Sequence, residues 1–449
     1  MSKSITDEKS YKFKLRPKPM QRLALAKAVG CCRWVYNWGL EQRQALYNTV
    51  KELPKEERYE ALKTCSRFGQ DAQLTHLKKQ FPFLAEAPAN ALQSVIHNLD
   101  KAYQGFFEGR TGFPDWKRKG EGDSFTEKSP NCFAINGEAV KLPKIGWVKC
   151  YVSRKVEGKL LNLTVTKDGG DWFVSITTRV TWKVEPPTGP PIAFDLGIAK
   201  SLAFSDRTEV HLPVATPKEL RQKGRLQRAI ARKQKGSKRR KKAVARLGNH
   251  ERHICQRVND SRHKITSSRA NNHSLVIGEA LRTCNMTRSA KGTLDEPGTN
   301  VRQKAGLNRG ILAQGWGITR RQFAYKCRWR GGHYIEVDPR GTSQRCNECD
   351  HEEPANRPTQ ALFLCVECGY TENADFQSSD NLLEDGLEKA MELGLIGGET
   401  PHPTDGLAVA ARRGPSGEMG SVEARTCGAK GFPLQKEVLA LPAMGGPAR

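Results

Sequence analysis

The sequence holds no stretch of about 18 consecutive apolar residues, the length a membrane-spanning helix needs. Its mean hydropathy is −0.63. The N-terminus, "MSKSITDEKS", is polar and lacks the apolar stretch of a secretory signal. These absences point to a soluble, cytoplasmic protein without a membrane partner. Aromatic residues are only 7% of the 449 residues. Negative charge is short: 48 Asp and Glu face 74 Lys and Arg, a formal net charge of +26. Such a chain repels itself in isolation, so a polyanion is its natural partner, ahead of an anionic membrane surface. No internal repeat is visible. The length allows two or three domains with cores of their own.

Cysteine is not scarce, and its number, 13, is odd. Nine are scattered (31, 32, 65, 132, 150, 255, 284, 327 and 427) and read as small buried hydrophobes or free thiols of a reducing compartment. The other four form two CxxC knuckles, Cys346/Cys349 and Cys365/Cys368, separated by fifteen residues. Each knuckle offers two thiolates, and the four complete a tetrahedron around zinc. No coordination position is left open, so the metal is structural.

Residues 11–16, "YKFKLR", alternate apolar and basic residues and predict a strand with one wet face. Pro17 and Pro19 end it. A helical period runs from Met20 to Leu46, then through "EERYEALKTCSRFG", and again from Ala89 to Phe107. Beyond the basic, aromatic loop "RTGFPDWKRKG" come short β-like segments. "LLNLTVTKDGGDWFVSITTRV" predicts a hairpin turning at Asp168, Gly169 and Gly170. "EPPTGPP" (186–191) is a linker by composition. Buried strands follow at "IAFDLG" and "HSLVIGEAL", then one helix over about 309–327 and a strand over 333–338. After about residue 392 the Gly-, Pro- and charge-rich tail predicts disorder.

Residues 218–264 hold 18 Lys and Arg against 3 acids and carry the period of two long helices around Gly236-Ser237. Solvated faces mix charge signs; this one hardly does. It reads as a grip on a phosphate backbone, centred on Arg232, Lys233, Lys235, Lys238, Arg239, Arg240, Lys241 and Lys242. Such contacts carry no base information.

Asp195 closes one buried strand and Glu279 another. Acids just past two adjacent strands converge at one sheet edge. A third acid, on a helix packed against the sheet, would complete a carboxylate cage for two hard divalent cations. That is the plan of an RNase H-like nuclease. Glu372, Asp375 and Asp380 are candidates for the third acid. Asp375 and Asp380 lie five residues apart, about 140° around a helix, so they do not both face one metal pair. A helix beginning near Asp375 would turn Leu382 and Leu383 to the sheet and put Asp375 at the active edge. Residues 369–373 read as a polar tether from the cysteine site.

The stretches "YKFKLRPKPMQ", "GCCRWVYNWGL", "APANALQSVIHNLDKAYQGFF", "RTGFPDWKRKG", "KLPKIGWVK", "VTKDGGDWFVSI", "ARKQKGSKRRKKA", "EALRTCNMTRSAKGT", "KAGLNRGILAQGWG" and "VDPRGTSQRCNEC" occur in one order between about residues 11 and 383. In that order they resemble the TnpB family of insertion-sequence proteins, also called OrfB-type transposases and related to type V CRISPR effectors.

The resemblance implies a multidomain α/β chain with a β-barrel. Its first part would be a wedge β-barrel in two pieces, 1–20 and 110–190, interrupted by a helical recognition domain at 21–109. A RuvC-like nuclease would occupy 191–343, with a zinc ribbon at 344–370 and the final nuclease helix at 371–391. The family's metal acids fall on Asp195, Glu279 and Asp375, which would hold two Mg2+; one Zn2+ would sit on the four cysteines. The implied partners are a guide (omega-type) RNA and double-stranded target DNA, with no protein oligomer required. The implied reaction is in-line hydrolysis of DNA phosphodiesters, with sequence read by base pairing to the RNA. Where the family reads Asp-x-Asn-Ala-Ala-x-Asn, this chain has "DFQSSDN", with Gln377, Ser378 and Ser379 replacing Asn and two alanines. A cleavage-silent RNA-guided repressor, a compact type V effector and an RNA-free strand-transfer transposase are the alternatives.

Overall fold

The structure, a computed structural model, describes residues 2–396 except Leu294; the tail from residue 397 on lies outside the described residues. The first part contains β1 (Lys3–Leu15), then helices α1 (Pro19–Val50), α2 (Lys55–Lys63), α3 (Arg67–Gln80) and α4 (Ala89–Phe107). Six strands follow: β2 (Ser124–Glu127), β3 (Ala134–Ile135), β4 (Ala139–Leu142), β5 (Gly146–Tyr151), β6 (Lys159–Asp168) and β7 (Asp171–Val184). The seven strands pair antiparallel in the order β2-β6-β7-β1-β5-β4-β3. β1 pairs with β7 over its whole length, from Lys3 opposite Val184 to Leu15 opposite Trp172.

β1 is twice the length its alternating segment predicts. Its first half is polar, so hydrophobic alternation cannot reveal it. Hydroxyl pairs across the strands hold it, Thr6 with Thr181 at 2.8 Å and Ser10 with Thr177 at 3.0 Å. The helix expected through "EERYEALKTCSRFG" is broken, because Ser66 caps a new helix by accepting from the Gly69 amide. The inner face of the sheet (Phe13, Leu15, Val148, Val165, Val174) and α1, α3 and α4 (Leu25, Val35, Leu74, Leu92, Ile96) share one core.

The second part contains β8 (Ile192–Asp195), β9 (Leu202–Phe204), β10 (Glu209–Val210), α5 (Pro217–Ala231), α6 (Lys238–Asn272), β11 (Leu275–Glu279) and α7 (Thr283–Met286). It continues through α8 (Val301–Gln314), α9 (Trp316–Arg330), β12 (His333–Val337), β13 (Leu362–Leu364), β14 (Thr371–Asn373) and α10 (Ala374–Glu392). Five strands form a mixed sheet in the order β10-β9-β8-β11-β12. β11 runs parallel to both β8 and β12, whereas β9 is antiparallel to β8.

The single helix expected over 309–327 is two. Gly315 takes a left-handed φ of 63° between α8 and α9 and presses against Arg262, whose guanidinium donates to the Gln314 carbonyl at 2.8 Å. The central strands alternate between two cores. Ile192, Phe194 and Val276 face Ala270, Trp316 and Phe323 of α6 and α9. Ala193, Leu275 and Ile277 face Leu382 and Ala390 of α10. Sheet and helices thus form three layers. The two parts meet where Arg328 of α9 pairs with Asp7 at 2.6 Å and Trp182 donates its indole N–H to the Trp329 carbonyl. No helix among the described residues is long and apolar enough to cross a membrane.

Candidate functional site

The strand register decides which acids meet. Gly278 of β11 lies opposite Phe194 of β8, so Glu279 and Asp195 are the next residues on adjacent parallel strands. Both fall in the alternation that faces α10. A Cβ at Gly278 would meet the Phe194 ring at 2.7 Å and the Tyr334 hydroxyl at 2.9 Å, so glycine permits this close approach of ring and strand.

Glu279 is 6% exposed. Its carboxyl accepts from the Leu196 amide at 3.2 Å and donates a hydrogen bond to Asp195. Burial first, then the Asp195 charge, push Glu279 up to about 9. Burial also raises the Asp195 carboxyl, and the negative charge of Asp375 adds to that push. A buried acid beside a half-buried one resists ionising unless a cation is near.

Asp375 reaches the same edge from above. Asn373 caps α10 by accepting from the Asp375 amide at 3.1 Å, which leaves the Asp375 carboxylate free of a capping role. The helix packs across β8, β9, β11 and β12. Leu382 is fully buried against the sheet, worth about 2 kcal/mol of burial, and Leu383 is partly buried beside it. The Asp375 carboxylate pairs with Lys200 at 3.4 Å and Arg357 at 3.8 Å. Lys200 also holds Glu209 at 2.6 Å.

Asp380 is turned elsewhere. It pairs with Arg207 at 2.8 Å and accepts from Asn347 at 3.5 Å, while burial raises its carboxyl. Glu372 pairs with the same arginine at 3.3 Å. Of the three candidate acids, Asp375 alone faces Asp195.

The four cysteines come together. Their sulfurs lie within 4.8 Å of one another, close enough to hold one metal ion together. Cys346 and Cys368 are 3.6 Å apart, and Cys349 and Cys365 are 3.5 Å apart. Sulfurs at the corners of a zinc tetrahedron are separated by roughly 3.8 Å, so the set fits the ion. Residues 371–373 are not a tether. They form β14, which pairs with β13 and runs directly into α10. A three-residue polar strand gives no alternation to read.

The departures at Gln377, Ser378 and Ser379 do not unseat α10, which is continuous over Ala374–Glu392. All three are buried. Gln377 donates to the Arg345 carbonyl and the Asn347 side chain, each at 2.8 Å. The Ser379 hydroxyl donates to the Phe376 carbonyl at 2.8 Å.

The basic residues gather at a hairpin of α5 and α6. Thr216 and Glu219 form a capping box at the start of α5. Glu219 pairs with Arg257, and Lys223 with Glu251, which ties the helices together. Arg232, Lys233 and Lys235 lie in and before the turn, and Lys238–Lys242 open α6. None of the eight cations is in an ion pair among the described residues, and six are exposed.

Three family models match segments of the chain. One described as "Helix-turn-helix domain" covers residues 8–52, one described as "Probable transposase" covers 173–290, and a Cas12f1-like TNB domain covers 316–382. Residues 8–52 form the end of β1 and one unbroken helix. A relative in Escherichia coli K12, named "Putative RNA-guided DNA endonuclease InsQ", is 35% identical over 383 residues, 84% of this chain and 92% of that protein. The chain belongs to the TnpB (OrfB-type) family. A second relative, from Streptomyces pristinaespiralis and named "Putative RNA-guided DNA endonuclease", is 26% identical over 85% of this chain and 90% of its own. A Cas12f1 chain from a cryo-EM structure with sgRNA and target DNA overlays with a TM-score of 0.44 at 11% identity, covering 84% of this chain and 98% of that one.

Sequence reading missed the cations around the acids of this TnpB chain. Lys200 lies just beyond β8, and Arg357 comes from the loop between the cysteine knuckles. Only the fold brings Arg357 to Asp375, so no local pattern could announce it. Lys200 had a faint signal: a lone cation five residues past a strand-end acid.

Proposed function

We propose that this protein is an RNA-guided DNA endonuclease whose RuvC-like site is built from Asp195, Glu279 and Asp375. The observation that carries the reading is half-buried Asp195 beside buried Glu279 at the ends of adjacent parallel strands, beneath a helix whose first turn carries Asp375. The donor set is all hard oxygen, and two adjacent strand-end carboxyls with Asp375 facing them from the helix concentrate negative charge at one edge, which fits Mg2+. When bound, Mg2+ supplies Lewis-acid chemistry at a phosphodiester. Asp195 and Glu279 would hold it from the sheet and Asp375 from the helix. Lys200 and Arg357 balance the acids and place positive charge where an anionic backbone enters.

The ribbon cysteines hold structural zinc in this reading. The antiparallel sheet serves as the wedge barrel, the helices α1–α4 as the recognition lobe, and the unpaired cations of the α5–α6 turn grip guide RNA by its phosphates. The protein acts in the cytoplasm, at the nucleoid, on double-stranded target DNA. The test is a purified protein–RNA complex, with a guide matched to a plasmid, incubated in Mg2+. Linear plasmid supports the reading. Bound but uncut plasmid supports a repressor, and the absence of any co-purifying RNA contradicts RNA guidance.

A further inference from the structure

The ribbon and the final helix are joined more tightly than a zinc site inserted in a nuclease requires. The small core of the ribbon consists of Cys346, Phe363, Cys365 and Ala374, and Ala374 is the first residue of α10. Its amide donates to the Ala361 carbonyl at 3.0 Å. Asp375 is the next residue.

A second set of bonds lies two residues further on. Gln377 and Asn381, one turn apart on α10, are both 0% exposed. Their amides converge on the Arg345 carbonyl, each at 2.8 Å. Gln377 also donates to the Asn347 side chain at 2.8 Å, and Asn381 to the Thr342 carbonyl at 2.7 Å. Arg345 and Asn347 flank the zinc ligand Cys346. The Arg345 guanidinium returns to Asp385 at 2.8 Å. The first knuckle is therefore fastened to α10 from Gln377 to Asp385, and Asp375 lies between this fastening and the ribbon core. The Gln377 side-chain oxygen has no partner. The residue is thus poorly satisfied as a stability element, while its donor nitrogen is fully used.

We propose that the ribbon's zinc positions Asp375, with Gln377 and Ala374 as the contacts that transmit its hold, so that emptying the ribbon disarms the nuclease site without releasing the RNA. The knuckle at 344–350 has no helix or strand of its own; beyond an isolated Arg345–Glu352 bridge and a few backbone bonds such as Cys346 N–H to the His351 carbonyl at 3.0 Å, the ribbon's four thiols are what zinc would draw together. With zinc bound, the Arg345 carbonyl and Asn347 are fixed acceptors. Without it they move, and α10 loses its anchors on both sides of Asp375. Gln377 is a positioning residue here, acting through Asp375. The inference rests on the nuclease reading for its consequence, but the coupling itself does not.

Linkage makes the coupling reciprocal: if zinc holds the helix, the helix holds zinc. The full-length protein–RNA complex with Gln377→Met keeps the side-chain volume and loses both donated bonds. Zinc release to a chromogenic chelator should quicken about tenfold or more, whereas Glu279→Gln, on the sheet, should release zinc at the wild-type rate. Plasmid cleavage by Gln377→Met should fall about 100-fold, as for a displaced reacting group, with RNA binding unchanged. A second measurement needs no variant. Mn2+ binding at the carboxylate site, followed by electron paramagnetic resonance, should weaken at least tenfold when zinc is stripped from the wild type. Unchanged zinc release in Gln377→Met, or unchanged Mn2+ affinity after stripping, overturns the proposal. A wild-type complex that never cuts plasmid would sink the nuclease reading and leave the zinc-release result standing.

Discussion

Adding one methyl group at Gly386 tests how strictly α10 must sit on the sheet. A Cβ at this position would lie 2.5, 2.6 and 2.7 Å from Cγ2, Cδ1 and Cγ1 of Ile277. Carbon atoms pack at about 3.5–4.0 Å, so roughly 1 Å must be found. Ile277 is fully buried in β11, between β8 and β12, and has little room to yield. Overpacking of this kind costs about 1–3 kcal/mol. Alanine returns about 0.8–1 kcal/mol over glycine within a helix. The net loss in Gly386→Ala should be about 0–2 kcal/mol, readable by urea unfolding. The larger effect should be on cleavage. Relief comes most simply by lifting α10, which also carries Asp375, and a displacement of about 1 Å at a reacting group costs about 100-fold. Single-turnover cleavage of a matched plasmid measures it. Adding Ile277→Ala removes all three clashing carbons and should restore much of the lost rate, although that change alone costs about 2–5 kcal/mol. Wild-type cleavage and an unchanged unfolding midpoint in Gly386→Ala would refute the argument that this contact sets the height of the helix.

Asp380→Asn should cut DNA at close to the wild-type rate. Its part-exposed bond to Arg207 is worth about 0.5–1 kcal/mol in urea unfolding, with Glu372 left as a partner; a cleavage-dead variant would contradict the assignment. Replacing Lys238, Arg239, Arg240, Lys241 and Lys242 with glutamine should lower the slope of log affinity for guide RNA against log salt by about 3–4, at roughly 0.7 per phosphate lost. An unchanged slope in a filter-binding salt series would remove α6 from the RNA interface. Glu219, hydrogen-bonded by Arg257 and by the Thr216 amide, has its carboxyl held down to about 2, well below the ordinary glutamate range. A depressed acid adds stability that is present above about pH 4.5 and lost as pH falls toward 2. Glu219→Gln should therefore show a shallower decline in thermal midpoint across that window than the wild type, and parallel curves would argue against the pair.

The parts of the fold that came from local chemistry could be read directly. Asp195 and Glu279 each follow an apolar run, and the two knuckles carry their ligand spacing openly. The 140° separation of Asp375 and Asp380 was enough to assign them different neighbours. What the sequence hid depended on distant partners. The polar half of β1 is a strand because β7 lies beside it, and β14 because β13 does. Gly315 is placed too deep within a helical period for its break to stand out, and it ends α8 through its left-handed backbone, against the buried Arg262. Gln377 read only as a departure, a longer amide where the family has Asn. It acquired a role only once Arg345 and Asn347 were seen to accept from it.

The most direct test of the central claim is plasmid cleavage by Asp375→Ala in complex with its RNA. The carboxylate that faces Asp195 from α10 is then gone, while Asn373 still caps the helix and Leu382 still packs on the sheet. No linear product is expected in Mg2+, with RNA retained at wild-type stoichiometry. Cutting at the wild-type rate would contradict that claim.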